Sequence, residues 1–217
     1  MSWKVFDKLY QKYDEWFDSF PGENIFELEA ECLRKVFQEI PEPWLEVGVG
    51  TGRFAKKIGI EFGIDPSEEM LKKAIKRKIK VAKAKAENLP FSSDSFGGTA
   101  MIVTFCFLDN PLNALKECHR VLRSKGKLVL GIVPRDSSWG RFYLEKKRKG
   151  HPFYSVARFY TVQEAINLSE KAGFKLENVF STLFEKPSEE NIKLKFYPPV
   201  TEPVKNAGFV CIKLEKP

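Results

Sequence analysis

Short apolar runs alternate with longer, charge-rich segments through the middle of this 217-residue chain. The apolar runs predict strands at 44–48, 60–65, 80–84, 99–105 and 127–133. The segments at 52–57, 68–78 and 111–122 have the spacing of helices. Strands that alternate with helices form parallel units with right-handed crossovers. We therefore predict an α/β fold with a doubly wound, mostly parallel sheet, whose ligand lies at the carboxyl ends of its strands.

Both ends of the chain depart from this alternation. Residues 1–20 carry aromatic side chains at helical spacing, and the amphipathic segment 25–39 is stopped by Pro41 and Pro43. These two segments predict helices that form an N-terminal lid.

Residues 134–160 interrupt the alternation with aromatic side chains around a basic run at 146–149, which predicts an insertion on the substrate side. Thr161, with Glu164 at capping-box spacing, predicts a helix at 161–172 that Gly173 ends. Strands are expected at 178–182 and 209–214, joined by a long proline-containing loop. The resulting division of a single domain, 1–217, is a lid at 1–40, a cofactor-binding core at 44–133, the insertion at 134–160, and a C-terminal helix and strands at 161–217.

Composition narrows the class of protein. With 43% hydrophobic and 30% charged residues, the chain has the balance of an ordinary globular protein. Its four cysteines are scattered without a CxxC pair or nearby histidines, so neither a metal site nor a disulfide framework is expected. The first 20 residues mix charges with aromatics and lack the apolar run of a signal peptide or membrane span. We therefore expect a cytoplasmic protein without membrane insertion.

A glycine-rich turn follows the first predicted strand, where Gly48 and Gly50 let the backbone approach a ligand closely. Asp65 ends the second strand, a position where a carboxylate can accept hydrogen bonds from two ribose hydroxyls. A plainer alternative is that Asp65, followed by Pro66, only caps the next helix. The dinucleotide pattern would require a third glycine at the position of Arg53, which favours a cofactor without a pyrophosphate.

Four ordered segments, at 45–52, 63–71, 86–96 and 120–128, carry a more specific signal. Together they resemble the core of the Rossmann-like (class I) S-adenosylmethionine-dependent methyltransferases, particularly the small-molecule and ubiquinone-biosynthesis-like group. The resemblance covers 44–133. It implies seven strands in the order 3-2-1-4-5-7-6 with the last strand antiparallel, S-adenosylmethionine as cofactor and S-adenosylhomocysteine as product. Lys85 and Gly97 depart from the family pattern, where acidic residues are usual.

The resemblance also implies roles for individual residues. Glu46 and the glycine backbone would hold the methionine part, Asp65 the ribose, and the Tyr13 helix would close over the cofactor. Pro66 and Met70 would flank the adenine with Ala86 and Glu87 at its polar edge, and Thr104 and Phe105 would lie near the sulfonium. The full set of implied cofactor contacts is Tyr13, Glu46, Gly48, Gly50, Asp65, Pro66, Met70, Ala86, Glu87, Thr104 and Phe105.

A sulfonium methyl group is a strong electrophile, so methyl transfer requires alignment and a dry cavity more than a diagnostic catalytic residue. We expect Tyr13, Tyr154 and His151 to orient the acceptor, with His151 as the candidate base, between the N-terminal helix and the 134–160 insertion. The predicted reaction is methyl transfer to a nitrogen, oxygen or carbon of a small molecule.

Two alternatives stay open. The net charge of +7 and the basic, aromatic insertion also suit an RNA methyltransferase. A non-catalytic regulatory module that binds the same cofactor would share every motif above. Both a monomer and a homodimer are compatible with the sequence.

Overall fold

The computed structural model describes residues 2–187 and 198–217. The helices are α1 (Lys4–Lys8), α2 (Tyr10–Trp16), α3 (Gly22–Phe37), α4 (Arg53–Ile58), α5 (Glu68–Lys76), α6 (Pro111–Val121), α7 (Ser138–Arg148) and α8 (Val162–Lys171). The strands are β1 (Trp44–Val47), β2 (Phe62–Asp65), β3 (Lys80–Lys83), β4 (Phe96–Ile102), β5 (Leu122–Ile132), β6 (Lys175–Thr182) and β7 (Phe209–Glu215). Two short 3-10 turns cover Phe105–Phe107 and Tyr154–Val156.

The seven strands form one sheet in the order β3-β2-β1-β4-β5-β7-β6. Strand β7 pairs antiparallel with both β5 and β6, and the other pairs are parallel. The predicted fold class, strand order and antiparallel last strand are confirmed. Every residue of the central strand β4 is buried, as parallel strands covered on both faces require.

Helices cover both faces of this sheet and create two apolar cores. One core joins α3, α4, α5 and α7 to the sheet, with Leu33 and Trp139 among its most buried side chains. The other core lies under α6 and α8 and includes Leu115 and Ile166. This two-sided burial leaves the carboxyl ends of the parallel strands as the edge where a cavity can open.

Element boundaries differ from the expected ones most clearly in β5, β4, the 1–20 segment and the insertion. Strand β5 begins at Leu122 rather than at 127, because its first residues also pair with the start of β4. Strand β4 ends at Ile102, earlier than the expected range 99–105, because Val103 adopts a positive φ of 51° and turns the chain out of the sheet. The 1–20 segment forms two short helices that break at Leu9. The 134–160 insertion contains a helix, α7, that periodicity did not reveal; Ser137 caps it by accepting a hydrogen bond from the Gly140 amide.

The C-terminal part follows the prediction closely. The Thr161 and Glu164 side chains form the expected capping box at the start of α8. Part of the expected long loop between β6 and β7, residues 188–197, lies outside the described residues. Within the described ranges, no helix has the length and apolarity needed to cross a bilayer.

Candidate active site

A cavity of about 330 Å³ opens at the carboxyl ends of β1, β2, β4 and β5, within the size range of ligand sites. Helices α1 and α2 and the segment after α7 cover it. All the residues singled out in the sequence line this cavity: Tyr13, Glu46, Gly48, Gly50, Asp65, Pro66, Met70, Ala86, Glu87, Thr104, Phe105, His151 and Tyr154. The fold therefore gathers two sets of candidates, one for a cofactor and one for an acceptor, around one space.

The turn after β1 depends on glycine for two reasons. Gly48 and Gly50 have positive φ values of 80° and 51°. A Cβ atom on Gly48 would also lie 2.3 Å from the Thr104 methyl carbon. The Thr104 hydroxyl lies 3.1 Å from the Gly48 carbonyl oxygen and donates a hydrogen bond to it. Thr104 therefore fixes the position of the turn that lines the cavity.

The Asp65 carboxylate joins that turn to the start of α5. It accepts hydrogen bonds from the Gly50 amide at 3.0 Å and from the Ser67 amide at 2.8 Å. Ser67, rather than Asp65, caps α5, because its hydroxyl oxygen accepts from the Met70 amide at 3.2 Å. The alternative of Asp65 as a simple helix cap is therefore wrong. Each Asp65 oxygen retains acceptor capacity for a ligand hydroxyl.

Burial raises the pKa of the Asp65 and Glu46 carboxyl groups, which line the cavity at the strand ends. Desolvation raises the pKa of Asp65 to about 6, although the Ser67 and Gly50 amides act in the opposite direction. Glu46 is 2% exposed, and burial raises its pKa well above the ordinary value. Among the described residues, its Oε2 atom has no hydrogen-bond partner. A buried carboxylate oxygen of this kind is stabilised by a cationic group on a ligand.

The residues expected to lie near the adenine and the sulfonium differ from one another in burial and in hydrogen bonding. Met70 and Ala86 are buried and line the cavity. The Glu87 carboxylate accepts a hydrogen bond from the Asn110 amide at 3.0 Å, so part of it already holds the loop before α6. Phe105 is 1% exposed, and its ring lies 4.9 Å from that of Tyr160, which makes it a core residue as well as a lining one.

The N-terminal helices are attached to the cofactor-side loops by ionic contacts. The Ser67 hydroxyl donates to Asp7 of α1 at 2.7 Å. Asp14 of α2 accepts from Arg53 at 2.7 Å and from Arg77 at 3.0 Å. Arg53, which stands where a dinucleotide site needs glycine, therefore holds the lid over the turn. This pairing could not be predicted from sequence spacing, because Asp14 and Arg53 are distant in the chain.

The acidity of Asp14 follows from these contacts. Burial alone would raise the pKa of its carboxyl, but the hydrogen bonds from Arg53, Arg77 and Thr51 outweigh burial and lower the pKa to about 2. Asp14 therefore stays ionised across the neutral range.

The opposite end of the cavity, which we call the aromatic side, is lined by Phe6, Tyr13, Tyr143, His151, Phe153, Tyr154 and Phe159. Phe6 of α1 stacks on Phe153 at 5.2 Å, and this contact joins the lid to the insertion. Tyr154 stacks on Tyr143 and lies beside His151, each with 4.5 Å between ring centroids. The aromatic side thus forms a continuous wall that can exclude water.

Three titratable side chains that line the cavity near the aromatic side are those of His151, Cys106 and Glu29. The His151 Nδ1 atom is buried and has no hydrogen-bond partner in the part of the chain that the structure describes. Burial, together with Lys146 and Lys12, lowers the pKa of His151 and favours its neutral form. Burial raises the pKa of Cys106 to about 12, so its thiol is a poor nucleophile. Glu29 of α3 also lines this side, a residue the sequence analysis missed.

Comparisons with known proteins agree with this geometry. The profile of a family described as a methyltransferase domain matches residues 45–130. An uncharacterized protein of Methanocaldococcus jannaschii is 40% identical over 214 residues, covering 98% of each chain. A demethylmenaquinone methyltransferase of Thermotoga maritima is 27% identical over 213 residues, covering 83% of this chain and 90% of the relative.

A solved structure is similar to this chain over its whole length. A Thermotoga maritima crystal structure, described as a SAM-dependent methyltransferase and possible histamine N-methyltransferase, superposes with a TM-score of 0.90 at 38% identity over 100% of both chains. The lining residues fit S-adenosylmethionine, because the unpartnered Glu46 oxygen suits an ammonium group and the Asp65 oxygens suit ribose hydroxyls. The chain belongs to the class I S-adenosylmethionine-dependent methyltransferases, in the ubiquinone-biosynthesis-like group.

Proposed function

We propose that this enzyme transfers a methyl group from S-adenosylmethionine to a small molecule bound on the aromatic side of the cavity. The observation that carries the proposal is one cavity with two chemically different ends, carboxylates at the strand ends and an aromatic wall opposite. S-adenosylmethionine supplies an electrophilic methyl group. The description of the Thermotoga maritima neighbour as a possible histamine N-methyltransferase is consistent with a small-molecule acceptor.

On this proposal the cofactor contacts divide by chemistry. Glu46 pairs with the ammonium of the methionine part beside the Gly48 and Gly50 backbone. Asp65, oriented by two amides, accepts from the ribose hydroxyls. The remaining lining residues contact the adenine and the sulfonium; they are Tyr13, Pro66, Met70, Ala86, Glu87, Thr104 and Phe105.

The acceptor contacts come from the lid and the insertion. Tyr13 and Tyr154 orient the acceptor, and neutral His151 can accept a proton from it. In this proposal residues 134–160 are the substrate-side part of one methyltransferase domain spanning 1–217. The surrounding rings exclude water from the reacting groups.

Replacing His151 with alanine is expected to lower the rate of methyl transfer by about 100-fold, the usual contribution of a general base. Affinity for S-adenosylhomocysteine should change by less than about twofold, because His151 lies on the aromatic side. His119→Ala is the matched control, since that ring packs against Phe174 outside the cavity. An equal loss of transfer and of cofactor binding in His151→Ala would contradict the assigned role.

Cofactor affinity is expected to fall as the pH decreases through about 6, the pKa of Asp65. Below this value the carboxyl gains a proton and loses acceptor capacity for the ribose, so affinity should drop by about tenfold per pH unit. Calorimetry with S-adenosylhomocysteine between pH 5 and 8 measures this dependence. The affinity of Asp65→Asn should not show the decrease near pH 6, while any pH dependence due to Glu46 should appear in the wild type and the variant alike. Identical plots of affinity against pH for the two proteins would contradict the role of Asp65.

The proposed acceptor class is tested by incubating the enzyme with methyl-labelled S-adenosylmethionine and a fractionated cell extract. Label should appear in the low-molecular-mass fraction and depend on Asp65. Label in the RNA fraction, lost at high salt, would favour the RNA methyltransferase alternative. Cofactor binding with no label in any fraction would favour a regulatory module.

A further inference from the structure

Glu29 is a buried acid on the aromatic side, with no partner among the residues that the structure describes. Its residue exposure is 5%, and it lines the cavity from α3. No hydrogen bond or ion pair within residues 2–187 and 198–217 reaches its carboxyl group. Its helical neighbours on the same stripe, Ile25, Cys32 and Leu33, are fully packed in the apolar core. A carboxyl group at such a position destabilises the free protein, so its presence calls for a ligand.

The groups that face Glu29 come from three elements and one turn. Its charge raises the pKa of Tyr13 on α2, Tyr143 on α7, Tyr154 on the 3-10 turn and Cys211 on β7. The pKa of each of these four groups is raised overall, so all four are neutral near pH 7. Glu29 is therefore an acid among neutral tyrosines, while Lys12 and Lys146, which act on His151, line the same cavity.

Burial is the cause of the unusual acidity of Glu29, and it raises the pKa of this carboxyl to about 8. At neutral pH the group is mostly protonated until a cation arrives. Tyrosine faces attract cations, and a carboxylate adds a charge-assisted hydrogen bond. Tyr13, Tyr143 and Tyr154 lie within electrostatic reach of Glu29, so an ammonium group on this carboxyl lies beside aromatic rings.

We propose that the acceptor is a small amine and that Glu29 binds its ammonium group beside the tyrosines of the aromatic side. Before transfer the ammonium gives one proton to neutral His151, and the freed nitrogen lone pair then accepts the methyl group. This inference rests on the proposed function and adds the substrate class. Protonated Glu29 offers a neutral or anionic acceptor one ordinary hydrogen bond, whereas an ammonium group gains a charge-assisted hydrogen bond when the carboxyl ionises. Because Glu46 is assigned to the cofactor ammonium, Glu29 is the acid that remains for the acceptor.

The test is calorimetric titration of the complex with S-adenosylhomocysteine, using benzylamine, phenethylamine and tryptamine as probes. Benzyl alcohol and 2-phenylethanol serve as hydroxyl counterparts. At least one amine should bind about tenfold or more tightly than its alcohol. Because Glu29 must ionise to pair with the ammonium, titrations in phosphate and in Tris at pH 7 should reveal release of about one proton. At pH 9 the release should largely disappear.

The decisive variant is Glu29→Gln, which keeps the side-chain size and removes a buried acid, so the protein should remain folded. Amine affinity should fall by about 100-fold and proton release should vanish, with binding of S-adenosylhomocysteine unchanged. Glu27→Gln on the exposed part of the same helix is the matched control, since Glu27 pairs with Lys57 at the surface.

Two results would overturn the inference. One is that no amine binds the wild-type complex, or that amines bind no better than alcohols. The other is that Glu29→Gln binds the amines as well as the wild type does. Either result would leave transfer to a different small molecule intact. Amine binding through Glu29 without labelled low-molecular-mass product would instead count against the proposed function.

Discussion

Replacing Asp65 with alanine is expected to weaken binding of S-adenosylmethionine and S-adenosylhomocysteine by about 100- to 1,000-fold. Hydrogen bonds to charged groups contribute about 1.5–3 kcal/mol each, and the carboxylate has capacity for two ribose hydroxyls. The substitution also removes the acceptor for the Gly50 and Ser67 amides, so the cofactor turn loses its connection to α5. Calorimetric titration of the purified variant measures the loss.

Two further variants make this result specific. Asp65→Asn retains one acceptor oxygen and should show an intermediate loss. Glu68→Gln changes the first residue of α5, whose exposed side chain pairs with Lys83, and it should bind like the wild type. Binding by Asp65→Ala within about twofold of the wild type would place the ribose elsewhere.

Replacing Asp14 with alanine is expected to lower the free energy of unfolding by about 2 kcal/mol, because it removes a buried carboxylate that pairs with two partly buried guanidinium groups. The Asp14 side chain is 7% exposed and bridges Arg53 and Arg77. Arg77 also donates to the Thr51 carbonyl oxygen at 2.8 Å, so the change should loosen the cofactor turn as well. Urea denaturation and cofactor titration together measure both effects.

Asp18→Ala is the matched control for Asp14. Asp18 also binds Arg53, but its side chain is 64% exposed, so its loss should cost less than about 1 kcal/mol. The stabilisation from Asp14, whose pKa is lowered to about 2, should persist above pH 4 and decline as the pH falls toward 2. Equal stability losses in the two variants would show that burial of Asp14 is not what holds the lid.

The sheet was predictable because its signals are local. Apolar runs of strand length and charged helical segments alternate in the sequence, and the motif resemblance supplied the strand order. The boundary of β4 was not predictable, since the positive φ of Val103 reflects how the chain leaves the sheet beside Thr104. Helix α7 was missed because aromatic and basic residues mask its periodicity.

Some residues of the candidate site could likewise be predicted from the sequence, and others could not. Glu46, Asp65 and the glycines could be identified because they share one strand-turn-helix pattern. The cluster of Asp14, Arg53 and Arg77 depends on contacts between distant parts of the chain, which spacing does not reveal.

The burial of Glu29 could have been predicted from its position in the sequence. It occupies the apolar stripe of α3 together with Ile25, Cys32 and Leu33, so an acidic residue there indicates burial rather than solvation.

The most direct test of the central claim, that donor and acceptor share this cavity, is a crystal structure of the complex with S-adenosylhomocysteine. We expect the ribose hydroxyls on Asp65 and the ammonium on Glu46, with Glu29, His151 and Tyr154 still facing open space. A ligand that contacts Glu29 and Tyr154 instead of Asp65, or that lies outside the cavity, would contradict it.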